Sequence, residues 1–100
     1  MWWATLPPPI GQRPVLLISR DAAYAIRSMV MVAEVTTRVR GIPTEVALGT
    51  AEGLPRPCAA NLDSIITISK SSLRQYIGTL NPQKMALVED AIRYALGLGS

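Results

Sequence analysis

The sequence predicts a mainly β domain closed by one C-terminal helix, folded as a small, strongly bent barrel. Three observations carry that prediction. Short runs rich in Val, Ile and Thr recur along the 100 residues, each bounded by Pro, Gly, Asn or Asp. Apolar residues make up 49% of the chain and charged ones 17%, so residues 1–100 suffice for one domain with a packed core. Only the stretch from residue 81 onward carries a clear helical period. A barrel this small buries little surface, so dimerisation is the expected supplement.

Trp2–Leu6 reads as the first strand, and the triple proline at 7–9 ends it because proline cannot continue a ladder. Trp2 and Trp3 then point to opposite faces, one to the core and one to surface or interface. Gly11 permits the return. Pro14 holds Arg13 extended, and "PVLLIS" (14–19) reads as a second strand, apolar on both faces and therefore central. "RDAAYAIRS" (20–28) reads as a loop with at most one helical turn. "MVMVAEVT" (29–36) is a third strand, rich in β-branched residues.

Gly41 and Pro43 break the chain, and "TEVAL" (44–48) alternates as a half-buried strand does. "GTAEGLPRP" (49–57) is a turn-rich loop. Short strands are expected at "CAANL" (58–62) and "SIITIS" (64–69), then a helical turn over "KSSLRQ" (70–75) and a strand at "YIGTL" (76–80). Asn81 suits an N-cap and Pro82 the first helical position. Met85, Val88, Ala91, Ile92 and Ala95 follow at helical spacing, and Gly97 suits the C′ position.

Composition narrows the chemistry. The chain has no His, which removes imidazole acid–base pairs, Ser-His and Cys-His nucleophiles and ordinary zinc sites. The seven carboxylates are scattered apart from Glu89-Asp90, so no magnesium or calcium cluster is visible. Metal-free phosphodiester chemistry is among the few routes left. The net charge is +3 and the pI near 9.5. Eight of the ten cations are Arg, whose planar fork grips phosphate at two points. No apolar run approaches the roughly 20 residues of a membrane helix. The start lacks the basic stretch and cleavage site of a signal peptide, and the single Cys58 forms no internal disulfide. A cytoplasmic protein is the expectation.

Three polar features stand at strand ends: Arg13, Thr36-Thr37 and "NLD" (61–63). Strand ends on one barrel rim can converge from distant positions. Arg, Thr and Asp around one point would suit RNA self-cleavage, in which a ribose 2′-OH attacks its own phosphate. Arg would stabilise the growing negative charge, Thr would position an oxygen, and a carboxylate would take the proton. Arg itself, with a pKa above ~12, is a poor base. Each residue alone also has a plainer reading. Arg before Pro is often a solvated strand end, Thr-Thr is β-propensity, and "NLD" is turn chemistry. Cys58 is a small buried hydrophobe. Arg38 and Arg40 share one side of an extended segment, as a phosphate track or as a solvated face.

The segments "GQRPVLLISRD", "VMVAEVTTRVRGIPTEVALG", "GLPRPCAANLDSIITISKSSL" and "LNPQKMALVEDAIRYALGL", in this order over nearly the whole chain, resemble the MazF/PemK family of toxin endoribonucleases. The resemblance implies an SH3-like barrel with a C-terminal helix, usually a homodimer. It implies metal-independent cleavage of single-stranded RNA at a short sequence, leaving a 2′,3′-cyclic phosphate and a 5′-hydroxyl, with no cofactor. It also implies a cognate antitoxin that neutralises the toxin. Carried over by position, the catalytic Arg and Thr fall on Arg13 and Thr36, and an acidic residue used by some members falls on Asp63. Ser19, Thr37 and Asn61 fall where relatives line the RNA groove. Relatives begin with a basic-Gly-Glu run before the first Trp, and their loop after the first strand is longer than "PPPIGQ", which bears on the cut sequence.

Two other classes fit the same barrel. A gyrase poison of the CcdB type relies on a Trp near the C-terminus, whereas this chain ends "ALGLGS" with both Trp residues at its start. A non-catalytic binding module would keep Arg13 only as a phosphate contact.

Overall fold

The structure, a computed structural model, describes residues 1–18 and 28–98. Among these residues six strands and one α-helix follow in order: β1 (Trp2–Leu6), β2 (Gly11–Leu17), β3 (Met29–Thr36), β4 (Glu45–Leu48), β5 (Cys58–Ser69), β6 (Leu73–Tyr76) and α1 (Pro82–Ala95). The strands form one antiparallel sheet ordered β4-β5-β3-β2-β1-β6. Its end strands do not pair with each other, so the barrel expected from the sequence is an open one.

The period of two along the central strands builds two cores. On β3, Val30 and Val32 join one buried cluster with Ala4, Leu6 and Val15, while Ala33 and Val35 join the other with Leu16, Leu62 and Val88. Val15 and Leu16 of β2 divide in the same way, as expected of a strand apolar on both faces. The second cluster is covered by α1, which buries Val88 and Ala91 against it. Asn81 caps the helix by accepting from the Lys84 N–H at 2.8 Å. At the other end the N–H groups of Gly97 and Leu98 donate to the carbonyls of Tyr94 and Arg93. This pattern needs the left-handed φ of +70° found at Gly97.

Three boundaries differ from the sequence reading. First, β2 begins at Gly11 and not at Pro14. Pro14 pairs with Trp3 of β1, while the ladder to β3 starts only at Val15, so the missing N–H removes no rung from it. Second, "CAANL" and "SIITIS" are one strand. Asn61 pairs with Glu34 and Ile65 with Ala33, leaving residues 62–64 as a bulge. The Asn61 side chain stitches this bulge, accepting from the Asp63 N–H at 3.0 Å and donating to Ser64 Oγ at 3.3 Å. The turn chemistry of "NLD" is real, but it bends a strand and does not end one.

Third, the helical turn after β5 is confined to residues 70–72, and residues 73–76 form β6 against β1. Residues 77–80 are not a strand. Gly78 there packs so tightly that a Cβ would lie 2.8 Å from the Glu52 carbonyl oxygen. The expected loop over 20–27 lies outside the described residues.

Candidate active site

The face of β3 that carries Val30 and Val32 continues to Glu34 and Thr36. Residues paired across neighbouring strands point to the same face, so Val15 of β2, Glu34, Asn61 of β5 and Glu45 of β4 form one cross-strand row. The next row holds Thr36, Ala59 and Ala47. Beside Glu34, Thr36 and Asn61 the core gives way to an open hollow.

That hollow has a volume of about 540 Å³. Arg13, Glu34, Thr36 and Asn61 line it, with Thr37, Arg38 and Arg40 at its outer side. Arg13 enters from β2, extended by Pro14, and its guanidinium lies 3.8 Å from the Glu34 carboxylate, the two side chains 35% and 20% exposed. Part of the Arg13 head therefore remains open to a bound anion. The Thr36 hydroxyl accepts from the Arg38 N–H at 3.1 Å. Its own proton is left to donate into the hollow.

A second hollow of about 280 Å³ shares Arg13, Thr36 and Thr37 with the first. It opens on the other face of the same strand ends, where Trp3, Pro14, Val35 and Cys58 form its walls and Pro55 and Arg56 its lip. Arg13 and the two threonines thus stand on a ridge between two hollows. The Cys58 thiol donates to the Arg56 carbonyl at 3.3 Å, and burial pushes its pKa up against the opposing charge of Arg56. It is a quiet wall residue.

The loop that carries Arg38 and Arg40 is held from β4. Glu45 Oε1 accepts from the N–H groups of Arg40 and Gly41, both at 2.9 Å, and Oε2 pairs with Arg40 Nε at 3.3 Å. Burial alone would raise the Glu45 pKa, but these bonds outweigh it and hold the carboxylate below its ordinary value. Gly41 supplies the turn with a φ of +69°. The Glu of "PTEV" is thus an anchor, and Arg40 is partly committed to it.

Of the residues singled out in the sequence, Arg13, Thr36, Thr37, Arg38, Arg40 and Asn61 come together around the larger hollow. Asp63 does not line it; its carboxylate accepts from the Thr44 hydroxyl at 2.6 Å. Ser19 lies outside the described residues. Glu34 is the residue that sequence reasoning missed. Its signal was present, since a carboxylate interrupts the otherwise apolar "MVMVAEVT".

Residues 1–96 match the family described as PemK-like, MazF-like toxins of type II toxin–antitoxin systems. The chain belongs to this family. It is 36% identical over 97 residues to the probable endoribonuclease MazF5 of Mycobacterium tuberculosis, covering 96% of this chain and 88% of that one. Similarity to the probable endoribonuclease MazF2 of the same organism is 34% over 99 residues, covering 97% and 94%. Among solved structures, the Mycobacterium tuberculosis toxin MazF-mt6 superposes with a TM-score of 0.92 at 32% identity, covering 99% of this chain and 97% of that one. A mycobacterial endoribonuclease in complex with its cognate antitoxin gives 0.86 at 31%, covering 99% and 92%. The open sheet with one C-terminal helix is the architecture of MazF toxins, and this member is an RNA-cleaving enzyme of that class.

Proposed function

We propose that this MazF-family chain cleaves single-stranded RNA at a specific sequence without a metal ion, leaving a 2′,3′-cyclic phosphate and a 5′-hydroxyl, and that a cognate antitoxin restrains it. The observation that carries the reading is the ridge, where Arg13, Thr36 and Thr37 stand between two hollows with the Glu34 carboxylate 3.8 Å from Arg13. In the reaction the ribose 2′-oxygen bonds to phosphorus, the bond from phosphorus to the 5′-oxygen breaks, and the leaving oxygen takes a proton from solvent in the open hollow. Arg13 faces the charge that builds on the non-bridging oxygens, which is where a fixed cation contributes most. The Thr36 O–H donates to one of those oxygens.

Glu34 takes the 2′-OH proton, because it is the carboxylate beside the phosphate-binding guanidinium. Asp63, bonded to Thr44, supports the Asn61 bulge that forms one wall. Thr37, Arg38, Arg40 and Asn61 line the path of the RNA. The mycobacterial relative solved in complex with its cognate antitoxin supports a similar partner here. A chain of net charge +3 suits an acidic one, and two copies make the working unit.

The experiment is cleavage of a long single-stranded RNA in excess EDTA by the protein and by Arg13→Ala. Discrete cuts that end in cyclic phosphates and vanish in the variant are the expected result. Intact RNA under EDTA would overturn metal independence. An Arg13→Ala rate within about tenfold of the parent, roughly 1.4 kcal/mol, would remove Arg13 from the reaction.

A further inference from the structure

We propose that the smaller hollow is a nucleobase pocket, in which Trp3 stacks on one unpaired base of the strand while Gln12 and Arg56 meet that base's edge. The inference rests on the ribonuclease reading and extends it to how the strand is gripped beside the cut.

The argument begins with two adjacent tryptophans of different fate. Trp2 packs against the core cluster of Val15 and Val32 and meets Tyr76 edge-on at 5.4 Å. Trp3 belongs to neither core cluster and is half-buried in the wall of the hollow. An indole kept out of the core and turned to a concavity is a surface for another flat ring. Pro14 and Pro55 line the same hollow and keep its sides rigid.

The size and charge fit one base. At about 280 Å³ the hollow lies just below the range of about 300–1,000 Å³ that holds drug-sized ligands, so it takes a single ring system and not a stack. Its charged lining is Arg13 and Arg56; among the described residues no carboxylate lines it, in contrast to the neighbouring hollow with Glu34. Gln12 and Arg56 supply amide and guanidinium groups of the kind that pair with base edges. Arg13, on the shared ridge, would hold the phosphate attached to that nucleotide.

The test uses Trp2→Phe, which leaves Trp3 as the sole tryptophan and keeps a ring on Tyr76. The probes are 2′-O-methyl oligoribonucleotides, which cannot be cut by 2′-oxygen attack, and an abasic strand of equal length. Base-bearing strands are expected to quench Trp3 emission saturably. The abasic strand is expected to bind at least about tenfold more weakly, without quenching. In Trp3→Ala the preference for bases over the abasic strand falls below about threefold by anisotropy. Arg56→Gln, in an exposed loop, keeps the quenching but flattens the ranking among the four homopolymers.

Equal quenching by both strands, or by neither, would overturn the pocket, and an unchanged ranking in Arg56→Gln would overturn the edge contact. Quenching that tracks protein concentration without RNA would assign the hollow to a second copy of the chain. The two readings fail separately. Quenching with no cutting of ordinary RNA removes the ribonuclease and keeps the pocket, and cutting without quenching does the reverse.

Discussion

The two ends of β3 share one face of one sheet and do different work. At one end Val30 and Val32 are sealed in a core with Ala4, Leu6 and Val15; at the other Glu34 and Thr36 stand over an open hollow. Between them the pairing with β5 shifts across the bulge at residues 62–64. Up to the bulge the sheet folds over itself and excludes water. Beyond it Glu34 and Thr36 pair with Asn61 and Ala59, and Glu34, Thr36 and Asn61 border an open hollow. A bent strand thus turns core into site without changing the face, and the site inherits the rigidity of the core behind it.

The comparison breaks hardest at Arg13. Arg13→Ala is expected to lower the RNA cleavage rate by about 10²–10³, the cost of removing a preorganised group that meets developing charge. Its melting temperature should stay near the parent's, because a pair this exposed contributes little to stability, at most about 1 kcal/mol. Loss of folding together with activity would show that the two ends are not separable.

Glu34 sharpens the same contrast. Glu34→Gln keeps the size and removes the base, and single-turnover cleavage should fall by about 10², with a change in the pH–rate profile that a merely structural role would not produce. Glu34→Val would instead extend the apolar row of Val30 and Val32. It should match or exceed the parent's melting temperature while losing cleavage. A Glu34→Val protein that still cuts at the parental rate would return the proton-accepting role to Asp63.

At the core end the expectation reverses. Val32 is fully buried, and Val32→Ala deletes two methyl groups from a packed interior. Unfolding free energy should drop by about 2 kcal/mol in urea titration, with cleavage below the melting transition within about twofold of the parent. A large rate loss in the folded variant would mean that the site is not insulated from packing in the core.

Much of this arrangement was legible in the sequence because it depends on local rules. The triple proline marks the end of β1, β-branched residues mark β3, alternation marks β4, and Asn81-Pro82 and Gly97 mark both ends of α1. The resemblance carried Arg13 and Thr36 to their positions. What escaped was non-local. The join of two short runs into β5 depends on Asn61 bonding within its own strand, where the same residues signal a turn when read alone. β6 exists because Leu73–Tyr76 meets β1, a partner far away in the chain. Glu34, a charge in a strand, gains meaning only when the facing Arg13 is known. Motif position points to Asp63, and the fold directs its carboxylate to Thr44.

The smallest effect concerns the loop beside the site, and its sign follows from Glu45. Two backbone N–H groups and the Arg40 side chain hold its carboxylate ionised, with the pKa below the ordinary value of 4.5 despite burial. A carboxylate depressed on folding stabilises the native state above its unfolded pKa, and that contribution is lost as pH falls through the lower folded value. From neutral pH down to about 5 the loop over residues 37–42 should therefore hold. Below the ordinary value it should loosen progressively as Glu45 takes up a proton. Glu45→Gln makes this change permanent, because an amide accepts the N–H bonds only weakly and cannot pair with Arg40. Its expected cost is about 1–2 kcal/mol at pH 7, narrowing towards zero as both proteins are acidified below pH 4. Hydrogen exchange at the amides of Arg40 and Gly41 would read it directly, faster in the variant at pH 7 once intrinsic rates are corrected. If those amides were equally protected in both proteins, the arginine loop would owe its position to something other than the Glu of "PTEV".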